Sequence, residues 1–82
     1  MEEIRFVAAK RKLESLIISS MKESKLTDIE RNSLNKLSVL LEKYTYENRL
    51  QFKGIITRTI IDSLELPYDL AEKFIDFDNG IR

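Results

Sequence analysis

The segment from Glu47 to Glu65 constrains this chain more than any other. Wound as a helix, it leaves one narrow polar stripe: Glu47, Gln51, Gly54, Arg58, Asp62 and Glu65. The rest of its girth is mainly apolar or small: Leu50, Phe52, Ile55, Ile56, Thr59, Ile60, Ile61, Ser63 and Leu64. A helix that is apolar over most of its circumference has to be covered on several sides. In 82 residues, that means a central helix wrapped by the others, or a helix shared with a second protein. The run Ile55 to Ile61 is strongly β-branched, so a strand is the competing assignment. One strand without a partner leaves its backbone groups unpaired, which favours the helix.

Three further helices surround this one in the sequence pattern. From Glu2 to about Lys22, the residues Phe6, Ala9, Leu13, Leu16 and Ile17 recur at spacings of three and four on one face. Ile4, Val7 and Ile18 form a second, narrower apolar face. Glu23–Leu26 reads as a linker, and Thr27-Asp28-Ile29-Glu30 matches a capping box that opens a second helix to about Thr45. Its inner face is Ile29, Leu34, Leu37, Leu40, Leu41 and Tyr44. A turn at Thr45–Asn48 is favoured over one continuous helix of 38 residues, which is long for so small a domain. Gly54, inside the third segment, signals a close helix crossing or a local kink. Leu66-Pro67 ends that segment, and Pro67 opens a fourth helix with Leu70, Ala71, Phe74 and Phe77 inward and Asp69, Glu72 and Asp76 outward. Asp78-Asn79-Gly80 reads as a stop, with Gly80 available for a left-handed cap. The expected fold is all-α: one domain over 1–82, a compact antiparallel bundle of three to four helices with the third (about 47–65) central.

Composition narrows the chemistry. Cysteine and histidine are both absent. No disulfide braces this small core, and the common zinc ligand sets and the commonest general base are missing together. Only a metal site built purely from carboxylates remains, and no cofactor is expected. Asp76-Phe77-Asp78-Asn79-Gly80 superficially looks like a calcium loop, but position six would be Ile81 and position twelve lies past residue 82. No phosphate-binding glycine loop or nucleophile elbow occurs, and the serines have no identifiable base nearby. The expectation is a non-enzyme with no small-molecule substrate. No apolar run is long enough to span a bilayer, and the opening Met1-Glu2-Glu3 is acidic, so a cytoplasmic location is expected. High Ile and Lys without Trp or Cys fits a low-GC bacterium or its phage.

Fourteen basic and fourteen acidic residues cancel, but unevenly. Residues 1–25 and 26–61 each carry six basic and four acidic groups, while residues 62–82 hold two basic and six acidic ones. A nucleic-acid binder shows a basic excess, so this balance argues against one. Arg5, Lys10, Arg11 and Lys12 scatter round the first helix, and an acidic fourth helix cannot serve as a recognition helix. The best reading surface for DNA is Arg31, Asn32, Asn35 and Lys36 at the start of the second helix. A small DNA-associated regulator using those residues and the N-terminal basic ones is therefore the alternative function.

The favoured function is a module that binds another protein, or itself as a homodimer, and thereby inhibits, protects or assembles it. The motive is ample helix-packing material, with ten Ile and eleven Leu, beside almost no chemical equipment. The contact candidates are Ile4, Val7, Ile18, Val39 and Tyr46, apolar residues lying off the main inner faces. Asp69, Glu72 and Asp76 form an electrostatic second candidate. In helix number and length alone, the layout resembles the small bacteriocin immunity proteins, and that resemblance transfers no site residue.

Overall fold

A computed structural model describes residues 2–23, 25–63 and 65–81. Ser24 and Leu64, which the sequence pattern put in the first linker and the third helix, lie outside the described residues, as do Met1 and Arg82. The fold is an all-α bundle: α1 (Glu3–Met21), α2 (Asp28–Lys43), a single turn α3 (Arg49–Phe52), α4 (Ile55–Ser63) and α5 (Tyr68–Asn79). α1 packs against α2 and α5, and α5 also packs against α4. No helix among the described residues is long and apolar enough to cross a membrane.

The entry to α2 forms as its sequence dictates. The Glu30 amide donates to Thr27 Oγ1 at 3.1 Å, and the Thr27 amide donates to Glu30 Oε1 at 3.0 Å. Two otherwise orphaned amides are thus satisfied locally. Arg31 braces the preceding linker, its guanidinium donating to the Met21 and Glu23 carbonyls, both at 2.7 Å. The turn expected at Thr45–Asn48 is present. The Thr45 amide donates to Asn48 Oδ1 at 2.8 Å, and the Asn48 amide donates back to Thr45 Oγ1 at 3.2 Å.

The third segment differs most from its pattern. It is split by Lys53–Gly54 into α3 and α4, and Gly54 has φ of 93°. That left-handed backbone is open to glycine and strained for other residues, which identifies the kink as the reason for the glycine. The β-branched run Ile55 to Ile61 is helical. Only Ile56 and Ile60 are buried in α4, while Ile61 is 71% exposed and Leu50, on α3, is also exposed. α4 therefore lies at the side of the bundle, covered on one face, and α5 takes the position between α4 and α1. There are two smaller differences. Ile29 points outward from α2, and Gly80 is right-handed (φ −80°), so no left-handed cap forms.

The core is one contiguous cluster whose widest part is aromatic. The Tyr44 ring lies 5.8 Å from Phe6, 5.6 Å from Phe77 and 5.8 Å from Phe52, in tilted or edge geometries that aromatic pairs favour. At its polar end is Asp78, 0% exposed. Asp78 Oδ1 accepts from the Tyr44 hydroxyl at 3.0 Å and from the Gly54 amide at 3.0 Å. Asp78 Oδ2 accepts from the Thr57 amide at 3.0 Å and the Thr57 hydroxyl at 2.8 Å. The last turn of α5 thus supplies the N-terminal cap of α4, a role played elsewhere by a residue of the helix's own entry. Every buried side-chain polar atom among the described residues has a partner. Ser33, buried on α2, contributes to this by accepting from the Glu65 amide at 3.1 Å.

Two outcomes are expected. Asp78→Asn sets an amide donor against donors and lowers unfolding free energy by about 2 kcal/mol. Gly54→Ala lowers it by about 1–2 kcal/mol through backbone strain alone, because no atom lies within 4 Å of the added methyl. Urea titration of both variants measures this. Burial, reinforced by the hydrogen bond and charge of Asp78, also raises the Tyr44 phenol pKa well above its ordinary value. The folded state then holds this proton more tightly than the unfolded chain, so the phenol's contribution is complete below about pH 10 and is lost as pH rises beyond it. Urea midpoints measured through the alkaline range should fall for the wild type, and less steeply for Tyr44→Phe.

Candidate docking surfaces

α1 is partnered on one side only, and the two surfaces of interest flank its buried face. The first is its outer stripe. Ile4 is 81% exposed, Ile18 is 59% exposed and Val7 is exposed less fully. Ile4, Val7, Ala8 and Arg11 surround a shallow hollow together with Glu3. A second hollow continues from it, bounded by Val7, Arg11 and Glu14 on α1 and by Thr45, Tyr46 and Glu47 in the turn after α2. Tyr46 is fixed there from both sides. Its ring meets Phe6 edge-on at 6.0 Å, and the Arg49 guanidinium lies 3.8 Å from the ring centre in a cation–π contact.

Ile4, Val7 and Tyr46 are therefore brought to one region. Ile18 continues the stripe further along the same helix face, at about 100° per residue. Val39 is exposed on α2 but borders none of these hollows, and the structure does not join it to the others.

The second surface is a groove of about 480 Å³ between α1 and α5. Ala9, Leu13 and Leu16 line it from α1 and Phe77 from α5, with Lys12, Lys73 and Asp76 on its edges. Leu13 and Phe77 are buried, whereas Ala9 and Leu16 are only half-buried and reachable from outside. Asp69, Glu72 and Asp76 meet round an adjoining hollow with Lys73, so the three acids expected to share a face do share one. The groove itself was not anticipated. Its signal is the repeat Ala9, Leu13, Leu16 on the inner face of α1, with Lys12 beside it.

The residues proposed to read DNA have a different environment. Arg31 is committed to the two linker carbonyls. Asn32, Asn35 and Lys36 are exposed along the start of α2. Among the described residues, no group of three or more His, Cys, Asp or Glu is arranged to hold a metal ion.

Exposed apolar residues that serve docking, and not packing, are replaceable without loss of fold. Ile4→Ser and Ile18→Ser should each change the unfolding free energy of dilute protein by less than about 0.5 kcal/mol, whereas Phe74→Ala, in the core, should cost about 3–5 kcal/mol. Thermal unfolding followed by circular dichroism separates the two classes. Compared with models of known families, with characterised proteins and with solved structures, the chain matches none.

Proposed function

We propose that this protein is a non-catalytic binding module that modulates another protein by docking one of its segments in the groove between α1 and α5. The observation that carries this reading is an apolar floor, Ala9, Leu13, Leu16 and Phe77, beside a cluster of three acids. Apolar grooves of this kind take the hydrophobic face of an amphipathic helix, anchored at three- and four-residue spacings. The acids Asp69, Glu72 and Asp76 outnumber Lys73 on this side and add a net negative preference, so the favoured segment carries Lys or Arg along the edge that faces α5. The product of docking is inhibition, protection or assembly of the partner. A chain without histidine or cysteine supports this reading over turnover. A cytoplasmic setting in a bacterium or its phage fits a cysteine-free composition.

Selection from a displayed library of helical peptides tests the proposal. Amphipathic peptides with basic flanks are the expected survivors. Their affinity should fall at least tenfold for Glu72→Lys/Asp76→Lys, and fall again as salt is raised for the wild type. Survivors that bind the wild type and this variant equally, with no basic bias, would remove the groove from the account.

A further inference from the structure

The outer stripe of α1 carries information that the groove does not use. Ile4, Arg11 and Ile18 are seven residues apart, and so are Val7, Glu14 and Met21. In heptad terms they are successive a and d positions of one seam. Unlike an ordinary seam, this one is turned to solvent: Ile4, Val7, Arg11, Glu14 and Ile18 are exposed and Met21 is half-buried. Its order is apolar, apolar, cation, anion, apolar, apolar. That order is self-complementary when two copies run antiparallel. Position 4 then meets 21 of the other copy, 7 meets 18, and 11 meets 14, with each pairing occurring twice about the two-fold axis. Apolar side chains meet apolar ones at both ends, and Arg11 meets Glu14 in the middle. A parallel pair in register would instead set Arg11 against Arg11 and Glu14 against Glu14.

The surface shape agrees with the charge order. Ile4, Val7, Ala8 and Arg11, with Glu3 at the rim, surround a hollow on α1. Residues i, i+3, i+4 and i+7 are the four that form the receiving hole in knobs-into-holes packing. In the antiparallel register the side chain facing that hole is Ile18 of the second copy. This one arrangement therefore covers the two most exposed isoleucines of α1.

We propose that a second copy of this chain occupies the outer stripe of α1, forming an antiparallel two-fold dimer centred between residues 12 and 13. The surface lies on the far side of α1 from the groove, so each subunit keeps its groove open. The paired stripe from residue 4 to residue 21 is about 26 Å long at 1.5 Å per residue. An interface this short belongs to the small, weak class.

Sedimentation equilibrium of the full chain between about 5 and 500 µM is the first test, with a monomer–dimer transition expected. Arg11→Glu sets like charges together at both central pairs, as does Glu14→Arg, and each variant alone should dimerise at least tenfold more weakly. Mixed in equal amounts they should form a heterodimer, because both central pairs are then restored as opposite charges. The absence of cysteine permits a direct test of orientation. Val7→Cys and Ile18→Cys proteins, mixed and oxidised, should cross-link to each other faster than either links to itself. Asp76→Lys, on the groove edge, should dimerise like the wild type, so loss of groove binding and loss of the dimer are read separately. A wild type that is monomeric at 500 µM, charge variants that fail to rescue one another, or self-linking that outruns the mixed product would each overturn the proposal. A different protein found on the stripe of a monomeric wild type would overturn it as well.

Discussion

The carboxylate of Asp78 is the interaction on which the arrangement of the second half of the chain depends. A side chain removed from water needs its acceptor sites filled, and a carboxylate offers only acceptors. Here four donors converge on its two oxygens, from Tyr44, Gly54 and both polar groups of Thr57. Each donor fixes something different. Tyr44 ties the end of α2 and the aromatic cluster to α5. Gly54 fixes the kink between α3 and α4, and Thr57 fixes the first turn of α4. Buried charge is weak evidence for net stability, since desolvation opposes the gain. Its effect is specificity. Alternative packings of α4 against α5 would leave the same carboxylate with Tyr44 alone of its four donors.

This constraint explains why the apolar third segment does not become a central rod. A straight helix from 47 to 65 would have no route for its mid-segment amides to reach a side chain of α5. The kink at Gly54 exposes the amides of Gly54 and Thr57 at a new helix start, where the helix dipole also favours a negative group. In exchange, α4 is covered on one side only and Ile61 faces outward. With α4 displaced, the place beside α1 falls to α5, which opens the groove floored by Leu13, Leu16 and Phe77. The candidate docking site is in this sense a by-product of how a buried acid is satisfied.

Much of this was legible in the sequence, and what was not shares one physical cause. Periodicity and capping chemistry are local, so they placed α1, α2, the capping box at Thr27, the turn at Thr45–Asn48 and the break at Pro67 close to where they occur. They also identified the outer residues of α1 and the shared acidic face of α5. Asp78 was invisible to the same logic. It follows five exposed acids in an acidic tail and precedes Asn79-Gly80, so it reads as a solvated helix end. Its partners lie 21 to 34 residues away, beyond any local rule. Gly54 was noticed as an anomaly, but its conformation depends on that distant contact. The groove was missed because a face at helical spacing records only that some neighbour covers it, not how completely.

The sequence distance between Asp78 and its partners also orders events in time. During synthesis α2, α3 and α4 leave the ribosome well before residue 78, and until it emerges the first turn of α4 and the Tyr44 hydroxyl have only water to satisfy them. Contacts of such long span close late, after the loop entropy between them has been overcome. The capping box of α2 is closed by residues three apart, whereas the Ile56–Ile60 face is covered only when α5 is present. That interval is when this chain most needs protection from aggregation.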